Sequence, residues 1–116
     1  MPREFPRTEP AWALRAYLVL IGAAARRETI TYERLNDRID RGGARFLAAS
    51  LTHLMQWCER HNLPALTVLV VNKATGRPEQ GLTTIDMDKF PEVQQEVFGH
   101  DWFAVLPPTI EELSSL

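Results

Sequence analysis

Two adjacent glycines, Gly42 and Gly43, end an Asp-Arg-Gly-Gly stretch that has an amphipathic segment on either side, and this pairing limits the fold more than anything else in the chain. Paired glycines supply backbone angles that other residues avoid, so the chain turns sharply there. Before the turn, Thr31 is placed to cap a helix over 32–39, with Glu33 in its first turn and Leu35 and Ile39 as its inner stripe. After it, Leu47, Leu51, Leu54 and Cys58, flanked by Phe46, Met55 and Trp57, recur at helical spacing and predict a helix over 44–61. Helix, glycine turn, helix is the arrangement of a DNA-binding helix-turn-helix, whose second member enters a groove.

The flanking segments extend this pattern. A helix is expected over 11–27, with Leu14, Tyr17, Leu18, Ile21, Ala24 and Ala25 on one face and Arg26 and Arg27 suited to its C-terminal dipole. Its apolar run is interrupted by Arg15 and too short for a membrane span, so a buried helix is expected. Residues 1–10, with three prolines, read as an irregular arm and not as a leader. Asn62-Leu63-Pro64 ends the third helix, and the β-prone run 66–71 reads as a buried strand. A turn at 72–76 and a return strand at 80–85 would complete a β-hairpin, the wing of a winged helix. Asp88 and Pro91 mark a further helix with Val93, Val97 and Phe98 inward and Gly99 at its end. The apolar stretch 101–106 is expected to fold back on the core, and Thr109 with Glu112 forms a capping-box pattern for a last short helix. The expected fold class is α/β in the broad sense, more closely α+β. It is a winged helix-turn-helix over 11–106, with three N-terminal helices, a hairpin wing, C-terminal helical additions, and a short helix or tail over 107–116.

Composition decides the number of cores and the distribution of charge. At 116 residues, with 45% hydrophobic and 24% charged side chains, one core is expected. The lone cysteine, Cys58, forms no internal disulfide, and a cytoplasmic protein is the default expectation. The net charge of −2 divides into +3 over residues 1–46 and −5 over residues 47–116. The positive half suits phosphate, and the negative half suits solvent or a basic protein partner.

With these elements placed, a resemblance becomes visible. Ile30-Thr31-Tyr32-Glu33-Arg34-Leu35, then Gly42-Gly43-Ala44-Arg45-Phe46-Leu47-Ala48-Ala49-Ser50-Leu51, then Leu63-Pro64-Ala65-Leu66, resembles the winged-helix domain of alkylguanine-DNA alkyltransferases and their alkyltransferase-like relatives. The resemblance covers a little under half of the chain. It implies that Tyr32 helps to turn a nucleotide out of the duplex and that Arg45 fills the gap. The family's Pro-Cys-His-Arg segment should follow next, but here that place reads Thr67-Val68-Leu69-Val70-Val71. With no nucleophilic cysteine and no histidine to activate it, alkyl transfer is excluded, and a non-catalytic protein without cofactor is expected.

The candidate DNA-binding residues are therefore Tyr32, Arg34, Arg38, Arg41, Arg45, Lys73 and Arg77. The arginines would fix register on phosphates, with Lys73 and Arg77 at the wing tip. The alternative is a solvated face balanced by Asp37 and Asp40, with Tyr32 as a packing residue. A different class of function, a protein-interaction module such as an adaptor, antitoxin or immunity-type protein, would use the acidic segment 79–112. Asp86, Asp88, Glu92, His100 and Asp101 would be the residues of a metal-dependent hydrolase. Cys58 and His61, with His53 a turn earlier, have ligand spacing but lack a fourth partner nearby, so no metal is expected there.

Overall fold

The structure, a computed structural model, describes residues 3–79 and 87–116. Helix α1 spans Glu9–Ala25, strand β1 Ile30–Thr31, helix α2 Tyr32–Ile39, helix α3 Leu47–Arg60, strand β2 Val70–Val71, helix α4 Phe90–Gly99 and helix α5 Ile110–Ser114. Short 3-10 turns over Ala44–Phe46, Leu66–Leu69, Met87–Lys89 and Trp102–Ala104 join them. The result is mostly helical, with a two-stranded parallel sheet, within the broad α+β class.

Helix α1 starts two residues before the expected position. Thr8 caps it by accepting a hydrogen bond from the Ala11 amide, and Pro10 falls in the first turn, where a missing N–H costs nothing. The helix touches α2, α3, α4, α5 and the Leu66–Leu69 turn, so it is the central element of the core. Its most buried side is Ala13, Ala16, Tyr17, Leu20, Ala23 and Ala24, while Leu18 is 47% exposed. The stripe expected from the larger side chains is thus rotated. On a helix apolar almost all round, the neighbours choose the face, and alanines let α3 approach closely. Tyr17 meets Trp57 of α3 edge-on, with ring centroids 5.4 Å apart.

The two helices that flank the glycine turn form largely as expected. Thr31 caps α2 through its hydroxyl, which accepts from the Arg34 amide at 3.2 Å, and Leu35 and Ile39 are buried. Asn36 Oδ1 accepts from the Gly43 amide at 2.8 Å and so pins the glycine turn to α2. Gly42 at φ 97° and Gly43 at φ 152° both occupy the left-handed half of backbone space. Leu47, Leu51, Leu54, Trp57 and Cys58 carry the inner face of α3, but its first turn, Ala44–Phe46, is a 3-10 turn.

The run 66–71 departs from its expected form. Only Val70 and Val71 are extended, and they pair in parallel with Ile30 and Thr31. Leu66, Thr67, Val68 and Leu69 coil as a 3-10 turn, and all four are buried. A strand sends successive side chains to opposite faces and needs cover on both. In a 3-10 turn the side chains splay about 120° apart, and α1, α3 and α4 pack around this one so that all four are covered. Gln94 of α4 donates to the Val68 carbonyl at 3.0 Å, giving this irregular backbone a partner.

The turn after β2 is present. The Asn72 amide donates to the Arg77 carbonyl at 2.8 Å, the Gly76 amide donates to the Asn72 carbonyl at 2.7 Å, and Asn72 Oδ1 accepts from Ala74. The expected return strand at 80–85 lies outside the described residues. Beyond it, α4 buries Val97, and Trp102 is buried with its indole N–H donating to the Val97 carbonyl at 2.9 Å. The stretch 101–106 packs on the core only through Trp102 and in part Val105, since Phe103 is 72% and Leu106 87% exposed. Helix α5, capped by Thr109, places Leu113 fully inside the same core.

Candidate nucleic-acid interface

The seven residues expected to meet DNA fall into five different environments. On α2 the buried stripe of Tyr32, Leu35 and Ile39 leaves two outward flanks. At 100° per residue, Arg34 and Arg38 occupy one flank and Glu33 and Asp37 the other. Arg34 and Arg38 are exposed and line a cavity shared with the C-terminal part of α1. Arg45 is on the opposite side, exposed, with its guanidinium 4.8 Å from the Phe46 ring. It lines a second cavity with Tyr32, Glu33, Ala48, Asn72 and Glu79. The positive edge is therefore split in two, with an acidic flank of α2 between its parts. Among the described residues, Arg34, Arg38 and Arg45 have no carboxylate at ion-pair distance.

Tyr32 is 8% exposed, and its hydroxyl accepts a hydrogen bond from the Glu79 amide at 3.1 Å. In this arrangement it is a packing residue that ties α2 to the segment after the turn. Its ring does not project as a wedge.

Arg41 is also drawn into the fold, where it is held by α1. Its guanidinium donates to Glu9 Oε1, lies 4.1 Å from the centroid of Trp12, and leaves the side chain only 14% exposed. The other Glu9 oxygen accepts from the buried Ser50 hydroxyl at 2.6 Å. One carboxylate in the first turn of α1 thus holds both the glycine turn and α3. Sequence spacing offers no sign of this, because Glu9, Arg41 and Ser50 are far apart along the chain and each is of a type usually found on the surface.

Lys73 and Arg77 are exposed at the turn after β2, and Arg77 lies 5.3 Å from the Phe90 ring. Asn72, beside Lys73, lines the same cavity as Arg45, so the turn and the head of α3 border one recess. Ala48 and Ala49, the next outward residues of α3, are exposed and small.

The histidines are engaged elsewhere. His53 Nδ1 donates to the Leu113 carbonyl at 3.0 Å, and His61 Nε2 meets Glu112 Oε2 at 2.8 Å, so both fasten α5. Cys58 is 1% exposed, and burial pushes its thiol up to about 11. Among the described residues no three His, Cys, Asp or Glu side chains gather closely enough to hold a metal ion. Of the acidic residues suggested for a hydrolytic site, Asp86 lies outside the described residues. No described helix is long and apolar enough to cross a membrane.

No family model, no curated protein and no solved structure matches this chain.

Proposed function

We propose that this chain is a non-catalytic, DNA-binding module of winged-helix type, with α3 as the helix that meets the duplex. The observation carrying this reading is Arg45. It stands exposed at the head of α3 without a carboxylate partner among the described residues, and outward Ala48 and Ala49 follow it. Alanines there let the helix backbone come close to a groove, and a guanidinium at its head reaches phosphate or a base edge. Lys73 and Arg77 add charge from the turn whose Asn72 borders the same recess. The resemblance to alkyltransferase-like proteins is consistent with this polarity, without the chemistry of alkyl transfer.

The test is fluorescence anisotropy with a mixed-sequence duplex over a salt series. Binding is expected to weaken steeply as salt rises. The double variant R45Q/K73Q is expected to lose roughly 10-fold in affinity at about 50 mM salt, with the salt slope shallower by about one for each charge removed. Equal affinity and equal slope in the variant would exclude this interface.

One observation favours a protein partner: Phe103 and Leu106 project into solvent, close in sequence to Asp101. In this second reading the domain is an interaction module, and F103S/L106S abolishes assembly while leaving duplex affinity unchanged.

A further inference from the structure

The cavity between α1 and α2 has a composition that the DNA reading leaves unused. It measures about 200 Å³, and Arg26, Arg34 and Arg38 all border it. Arg26 shares its charge with Glu28, whose carboxylate lies 3.4 Å from its Nε. Arg34 and Arg38 have no such partner among the described residues. The recess therefore carries about two uncompensated positive charges. Placing like charges one turn apart on a helix is unfavourable by itself, and an anion between them removes the repulsion.

The rest of the lining narrows the class of anion. Leu18, Val19 and Ile30 form an apolar wall beside the guanidinium groups, and Leu18 is 47% exposed there. A ligand with a charged end and an apolar or aromatic body would satisfy both parts. Gly22 contributes by lacking a side chain. A Cβ at that position would stand 3.3 Å from Arg26 Nη1, so glycine lets the guanidinium lie along α1 at the rim. Three planar donor groups suit the several oxygens of a tetrahedral dianion better than the two of a carboxylate.

We propose that this cavity binds a phosphate monoester dianion carried on an apolar or aromatic group. The site shares no residue with the recess that Arg45 borders or with Lys73 on the turn beside it, so the two proposals can fail separately. The chemistry is shared by a free small phosphate ester and by the terminal phosphate of a nucleic acid.

The experiment is a titration of the full chain with phenyl phosphate at constant ionic strength, followed through the methyl resonances of Leu18, Val19 and Ile30. Saturable shifts are expected, with inorganic phosphate binding more weakly because it lacks the apolar body. R34Q/R38Q is expected to weaken phenyl phosphate roughly 100-fold, about 10-fold for each arginine removed. G22A supplies a second variant that favours the helix and so does not act by unfolding; it is expected to weaken binding several-fold by displacing Arg26. A duplex with 5′-phosphates, compared with its 5′-hydroxyl twin, identifies the source. A preference that R34Q/R38Q abolishes supports a nucleic-acid end, and no preference alongside tight phenyl phosphate binding supports a free ester. Absence of saturation, or equal affinity in R34Q/R38Q, overturns the proposal whatever the result with R45Q/K73Q.

Discussion

At the scale of single residues, identical side-chain types in one short stretch have opposite roles. Arg38 and Arg45 face outward, while Arg41 between them is held by Glu9 and covered by Trp12 and Phe46. A guanidinium offers a planar face to the indole and directed donors to the carboxylate, which an ammonium cannot do together. R41A is expected to lower the free energy of unfolding by about 2 kcal/mol in urea denaturation. This is somewhat less than for a fully buried pair, because the Glu9 carboxylate keeps part of its hydration. R41K is expected to recover less than half of that loss, and full recovery would show that charge alone matters. The internal contacts of Arg41 were not legible in the sequence, for an identifiable reason. Its carboxylate and indole partners come from α1, and neither periodicity nor charge patterning carries such long-range pairing. Tyr32 was legible only as one of two roles, and the bond to Glu79 decides for packing.

At the scale of elements, starts and ends were about equally legible: α2 and α4 end at Ile39 and Gly99 as expected, while α1 starts two residues early and α3 three residues late. Thr8, Thr31 and Thr109 each accept a hydrogen bond from an amide three residues on, and two of these caps were predictable from residue type. The ends of α1 and α3 are made by Arg27 at φ 56° and Asn62 at φ 53°, where glycine is the usual choice. In both, two amides fold back onto the last turn: Glu28 to Ala23 and Arg27 to Ala24, Leu63 to Cys58 and Asn62 to Glu59. N62A is expected to cost about 1 kcal/mol, since alanine is strained at positive φ, whereas N62G should be neutral or better. A loss of equal size in both variants would mean that the Asn62 side chain, not its backbone angle, is what matters. The 66–71 segment was misread because β-branched residues signal burial as strongly as they signal extension, and burial on every side erases the alternation that marks a strand.

Helix α5 is short and depends on its fastenings. Burial of the Glu112 carboxyl opposes ionisation, but the His61 imidazole and the Trp57 indole beside it outweigh this and hold it below the ordinary glutamate range. A carboxyl depressed in the folded state stabilises the fold above its unfolded value. That contribution disappears as pH falls through the folded value. The wild-type protein is therefore expected to lose stability on acidification below about pH 4.3, and H61A to lose less over the same interval. Parallel stability curves for the two proteins would show that this contact contributes nothing.

At the scale of the whole molecule, the charge asymmetry visible in the sequence is resolved into a positive recess at Arg34 and Arg38, a second recess where Arg45 shares the lining with Glu33 and Glu79, and an acidic C-terminal half. The helices on either side of the glycine turn were legible because their signals are local: a cap, a stripe and a glycine pair. The cavity holding Arg26 was not, since it requires the end of α1 to lie against α2. The parallel pairing of Ile30–Thr31 with Val70–Val71 likewise joins segments separated by α2 and α3. Only one core unites all five described helices, so the molecule should open as a unit.

That unity gives the buried thiol of Cys58 a use. Shielded and held protonated in the native state, it is silent to alkylating reagents until the helices around it separate, so its modification rate serves as a stopwatch for global opening. Under conditions where reclosing outruns alkylation, the R41A protein should be labelled about 30-fold faster than the wild type, the ratio that corresponds to its loss of stability. Identical rates would mean that reagent reaches the sulfur through a local breach instead.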